Sequence, residues 1–201
     1  MALNTKDGFS YWISAMSTVL SLRGDRITPQ PLIDASSGSI LCWNGEAWRL
    51  ASKPIPGNDG QLLFGLLMDA ILTHKSIPES SVAVCSIFHA VSGPFAFVFV
   101  DTIHNQIYFS RDRLGRRSLL YNVGSDFTSL CFSSVADPHG GSWREVEADA
   151  IYQLSLQSKV EPASSTSTDS LLSVSFASMR RHSWEEHATE GAVSIILGPP
   201  L

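Results

Sequence analysis

GPFAFVFVDTIHNQIYFSRDRLGRRSLLY, residues 93–121, decides the fold. Phe95 to Val100 form an unbroken apolar run rich in β-branched and aromatic residues, the pattern of a strand covered on both faces. Asp101 to Gln106 are polar and turn-prone, and Ile107 to Ser110 resume the strand pattern, so the pair reads as a hairpin. The charged loop Arg111 to Arg117 follows, with Gly115 inside it, before Leu119 to Tyr121 turn apolar again. Arg111 and Asp112 read as a structural pair, because charges beside a glycine turn commonly lock a loop.

Outward from this core the pattern changes. Leu62, Leu63, Leu66, Leu67, Ala70 and Ile71 recur at helical spacing. Asn58 is placed to cap that helix, with Gln61 three residues on in a box-like arrangement. Pro78 suits the first turn of a second helix, with Val82, Cys85, Phe88 and Val91 as its buried stripe. Ser39 to Trp43 read as a short strand, Leu130 to Val135 as another, and Val146 to Leu156 as a last edge strand or two. Glu161 to Ser170 is small, polar and hydroxyl-rich, a linker composition. Phe176 to Glu190 read as a helix carrying Trp184, and Ala192 to Leu197 as a buried strand.

Composition narrows the function. A chain of 201 residues with 44% hydrophobic content builds one substantial core plus an appendage. A net charge of −5 without a long basic run argues against nucleic acid as a partner. Cys42, Cys85 and Cys131 are odd in number, widely spaced and set among apolar residues, which fits reduced core thiols in a cytoplasmic protein. Six histidines lack metal-ligand spacing, so no metal or other cofactor is expected. No apolar run reaches membrane-spanning length. Phe9 to Leu22 imitates a signal peptide, but Asp7 beside Lys6 cancels the positive flank such a segment needs.

The order GP, apolar strand, turn, strand, RDRLGRRSLLY resembles the glutaminase (type 2 glutamine amidotransferase) domain of the asparagine synthetase family, in particular the asparagine synthetase domain-containing proteins. The family usually has Pro where this chain has Ser118. The resemblance covers roughly residues 16–156 and implies an α+β fold, a four-layer αββα sandwich of the N-terminal-nucleophile hydrolase kind, incomplete at its N-terminus. It divides the chain into an unassigned stretch 1–15, an amidotransferase-like domain 16–160, a Ser/Thr-rich linker 161–175, and the start of a synthetase-like domain 176–201.

Site residues follow from the same resemblance. STVLSLRG resembles the family strand that ends in an arginine, so Arg23 falls where the α-carboxylate of glutamine is bound, and TPQPLID follows in family order. Trp43-Asn44-Gly45-Glu46 carries the family's NGE motif, in which the Asn side-chain amide and the Gly backbone N–H form the oxyanion hole and Glu46 lies with the substrate. On local grounds Asn44-Gly45 reads equally well as the type I′ turn of a hairpin running on to Ala47 to Leu50. Asp59 meets the α-amine of glutamine by resemblance, while on spacing alone it is as well explained as a first-turn carboxylate favoured by the helix dipole.

The pattern also departs from the family. Family members attack glutamine with an N-terminal cysteine whose own amine is the base. This chain begins Met1-Ala2, about twenty residues precede Arg23 where the family needs a strand, loop and strand, and none of the internal cysteines is placed to substitute. At the other end Gly198-Pro199-Pro200 stand where the family's SGGxDS pyrophosphate loop begins, so no ATP site is assigned. The expectation is an amidotransferase-like domain that is inactive as given. Two further readings stand beside it: a non-catalytic module binding glutamine or a protein partner, and a fragment of a longer two-domain enzyme that supplies the synthetase domain.

Overall fold

A computed structural model describes residues 2–4, 10–20, 23–124, 129–137, 140–156 and 179–184. In chain order the elements are β1 (Ala2–Asn4), β2 (Ser10–Trp12), β3 (Leu32–Ile33), β4 (Ile40–Gly45), β5 (Arg49–Leu50), β6 (Lys53–Pro54), α1 (Asp59–Thr73), α2 (Ile77–His89), β7 (Val91–Ser92), β8 (Phe95–Asp101), β9 (Gln106–Arg111), β10 (Leu120–Val123), β11 (Leu130–Ser133), β12 (Arg144–Glu145), β13 (Ala150–Ser155) and β14 (Met179–Ser183). The architecture is α+β. A six-stranded antiparallel sheet in the order β14-β13-β9-β8-β4-β3 is its spine, and β11-β10-β12 form a smaller sheet.

The strand β8 explains the layering. Phe95, Phe97 and Phe99 project to one face and pack with α1 and α2, through Leu63, Leu67, Ile71, Val84 and Phe88. The Phe88 and Phe97 rings stack with centroids 3.5 Å apart, which fixes α2 on the sheet. Ala96 and Val98 project to the other face, where they pack with Phe109, Leu119 and Val146 and, through the small sheet, Leu130 and Phe132. Among the described residues this gives three layers: helices, large sheet, small sheet.

The β8–β9 hairpin forms as the sequence indicates. Asp101 accepts from Ile103 N and His104 N and from His104 Nδ1 at 2.7 Å, closing the turn from within. Both helices also form. Asn58 Oδ1 caps α1 by accepting from Gln61 N at 2.9 Å, and Ser76 with Glu79 closes the first turn of α2.

Six expectations are corrected. The chain does not reverse at Asn44-Gly45: both continue β4 and pair with Ala96 and Phe95, and neither has the positive φ that a type I′ turn requires. The reversal comes at Ala51-Ser52, with φ of 47° and 67°, between β5 and β6. The run before Arg23 is no strand over residues 13–20, where Met16 and Leu20 are exposed and so contribute no buried face to hold one. On α2, Val82 is exposed and Val84 buried, so the inner face is Ser81, Val84, Cys85 and Phe88. β13 is interior, flanked by β9 and β14, and residues 179–183 are a strand where a helix was expected. Trp184 then drops into the helix-side core. Cys131 is exposed on β11 and Cys42 is half-buried, leaving Cys85 as the one fully buried thiol among the three. The linker 161–175 and the strand Ala192 to Leu197 lie outside the described residues.

Candidate functional site

The end of β4 and the start of α1 bring three of the expected residues together around the backbone of Ala47. Ala47 N donates to Asp59 Oδ2 at 2.7 Å, and Ala47 O accepts from Arg23 Nη1 at 2.9 Å. Arg23 Nη1 also reaches Ile55 O at 3.4 Å, and Arg23 Nε pairs with Glu46 Oε1 at 3.3 Å. Asp59 is the first residue of α1 and only 5% exposed, and its Oδ2 takes a second hydrogen bond from Trp43 Nε1 at 3.1 Å. Trp43 is buried in turn, stacked on Phe95, with its backbone N–H given to Gln30 Oε1 at 3.1 Å.

Two groups in this cluster remain unspent. Both hydrogen bonds to Asp59 arrive at Oδ2, so Oδ1 has no protein donor among the described residues. Arg23 binds the protein through Nε and Nη1, so Nη2 has no protein acceptor there. A guanidinium edge and a carboxylate oxygen, each fixed by its other bonds, are the complement of a ligand carrying one negative and one positive group.

Asn44 lies apart from this cluster. Strand alternation sends its side chain to the face of β4 opposite Trp43, exposed, on the same face as Cys42. Gly45 is held by close packing: a Cβ there would sit 2.6 Å from Pro94 O and 2.8 Å from Phe95 Cα, so β8 leaves no room for any other residue. The parts played by Trp43, Ala47, Gln30 and Ile55 escaped sequence reasoning. The one signal was Trp43, an indole in a strand otherwise aimed at the core, whose N–H needs a partner once buried.

The RDRLGRR loop is a lock. Asp112, 3% exposed, accepts from Phe95 N, Leu114 N, Arg116 N and Arg116 Nε, and its own N–H donates to Phe95 O at 2.8 Å. Arg111 donates to the carbonyls of Arg117, Gly115 and Val146 and pairs with Glu145. Gly115 has φ of 61°, and a Cβ on it would press on the Arg111 guanidinium. Both charges are consumed in holding the loop, as their reading from the sequence anticipates.

Among the described residues no group of three or more His, Cys, Asp or Glu side chains is placed to hold a metal ion, and no helix is long and apolar enough to cross a membrane.

Comparison with known proteins gives the lineage. Asparagine synthetase domain-containing protein 1 of Homo sapiens is 32% identical over 158 residues, 77% of this chain and 23% of that protein. The asparagine synthetase domain-containing protein of Saccharomyces cerevisiae is 31% identical over 151 residues, 75% of this chain and 26% of that protein. The chain thus spans about a quarter of the length of the curated relatives it matches. Among solved structures, the glutamine phosphoribosylpyrophosphate amidotransferase of B. subtilis superposes with a TM-score of 0.49 at 15% identity, over 77% of this chain and 31% of that one. No family model matches. Over three quarters of its length, this chain is a homologue of the asparagine synthetase domain-containing proteins.

Proposed function

We propose that residues 16–160 are the type 2 glutamine amidotransferase-like part of an asparagine synthetase-like protein, built on the N-terminal-nucleophile sandwich, and that they bind glutamine without hydrolysing it. One observation carries this reading: Ala47 binds Asp59 through its N–H and Arg23 through its carbonyl, with Asp59 Oδ1 and Arg23 Nη2 left open among the described residues. The α-carboxylate of glutamine fits Arg23 and its α-amine fits Asp59 Oδ1. In the family the side-chain amide of glutamine meets the oxyanion donors at the positions of Asn44 and Gly45; here the Asn44 side chain lies on the face of β4 opposite Trp43, so the cluster holds the charged end of the ligand.

Hydrolysis needs a thiolate beside the amide carbon. Burial pushes the Cys85 thiol up to about 12, inside α2, and raises Cys42 as well, against a weaker opposing hydrogen bond from Ser17. Cys131 sits on the small sheet, two layers from the helices. None supplies the nucleophile. All three are free thiols, in keeping with a reducing, cytoplasmic setting.

In the family the ammonia released from glutamine serves asparagine synthesis in a following synthetase domain; here that domain, with 176–201 as its beginning after the 161–175 linker, belongs to a longer form. Incubated with glutamine, the purified chain should release no glutamate above a blank. Turnover above the blank that disappears in Asn44→Ala would overturn the silent reading.

A further inference from the structure

Asp59 can receive an α-amine only if its carboxylate is held with one oxygen outward. Ala47 N–H alone leaves the group free to swing about that single bond. The second donor, Trp43 Nε1 at 3.1 Å, removes the freedom and assigns Oδ2 to the protein and Oδ1 to the ligand. We infer that Trp43 is a positioning residue for the ligand's α-amine, acting through Asp59. The inference rests on the glutamine-binding reading above and adds a residue and a device to it.

Trp43 is itself fixed from three sides. Its ring stacks on Phe95 with centroids 5.3 Å apart and planes 21° from parallel, its backbone N–H is tied to Gln30, and β4 pairs Trp43 with Phe97. Phe95 is in turn bracketed by Asp112, which takes its N–H at 3.1 Å and gives its own N–H to the Phe95 carbonyl. The contact chain Asp112, Phe95, Trp43, Asp59 therefore runs without a gap from the RDRLGRR loop to the open carboxylate oxygen. The loop touches no ligand group. Its part in the site is to set the ring against which Trp43 is aligned.

Trp43→Phe is the informative change, because it keeps an aromatic ring on Phe95 and deletes only the donor. Binding is measured calorimetrically on the full chain with two ligands: glutamine, and 5-amino-5-oxopentanoate, which is glutamine without its α-amine. The expected result is a loss of about tenfold in glutamine affinity, the scale of one hydrogen bond to a charged group, with affinity for the amine-free analogue unchanged. Equal loss for both ligands, or no loss for either, overturns the inference, since a general packing role does not distinguish them.

A second measurement needs neither ligand nor a change at Trp43. In the ligand-free chain, Asp59→Asn should move the Trp43 indole N–H proton resonance upfield, as its charged acceptor is replaced by a neutral one, and leave the exposed Trp12 resonance in place. An unmoved Trp43 resonance overturns the inference. If the unaltered chain binds neither ligand, the glutamine-binding function falls, and the resonance alone decides whether Trp43 holds Asp59.

Discussion

Ala51 and Ser52 turn the chain between β5 and β6 with positive φ at both positions, although neither is a residue that favours that region. Seven residues earlier the sequence offers Asn44-Gly45, the pair a type I′ turn prefers, and the chain runs straight through it. Local turn chemistry lost to tertiary pairing: β8 binds the full length of β4 through Gly45, and the bond from Glu46 N to Pro94 O carries the pairing further. What Gly45 supplies is the absence of a side chain against Pro94 and Phe95, which a sequence pattern does not separate from turn preference. Installing Asn-Gly where the turn is, as Ala51→Asn with Ser52→Gly, should stabilise the protein by ~1 kcal/mol through relief of left-handed strain, read as a shift in urea midpoint at unchanged slope. A lower midpoint would contradict the turn assignment.

At the scale of elements, the loop after β9 illustrates how a charge becomes a hinge pin. Burial by itself pushes the Asp112 carboxyl up, but the hydrogen bonds from Arg116, Phe95 and Leu114, with the Arg116 charge, outweigh it and leave the group below the usual aspartate range. A carboxyl whose value is depressed on folding contributes stability that is present above its unfolded value, about 3.9, and is lost as pH falls through its folded value. Urea unfolding between pH 7 and pH 2 should therefore show Asp112→Asn less stable by ~2 kcal/mol near neutrality, with the gap to the unaltered chain closing below about pH 4. A gap independent of pH would contradict the ionised lock. The lock was legible in the sequence because charges and glycine sit within one short loop. The phase of α2 was not, because residues chosen every third position, Val82 to Val91, drift 60° per step around a 3.6-residue helix, so Val82 ends outside the stripe that holds Val84 and Phe88. Nor was β13 readable as interior. Its Gln153 looks like an edge residue, yet it is 2% exposed, with its amide satisfied by Gln106 and His182.

Over the whole molecule, the stretch from Gly93 to Tyr121 made the large sheet legible, since a run buried on both faces dictates covering layers on both sides. Arg23, Glu46 and Asp59 were legible as candidates through family order. Their meeting point was not, because the Ala47 backbone and the Trp43 indole that join them carry no signature of their own. The proposed function requires that meeting point to bind the charged end of glutamine. Isothermal titration of the full chain with glutamine, beside Arg23→Ala and Asp59→Ala variants checked for cooperative unfolding, measures it most directly. Saturable binding by the unaltered chain is expected, weakened at least tenfold in each folded variant because one partner of a charged pair is removed. No saturable heat from the folded chain, or equal affinity in all three proteins, would contradict it.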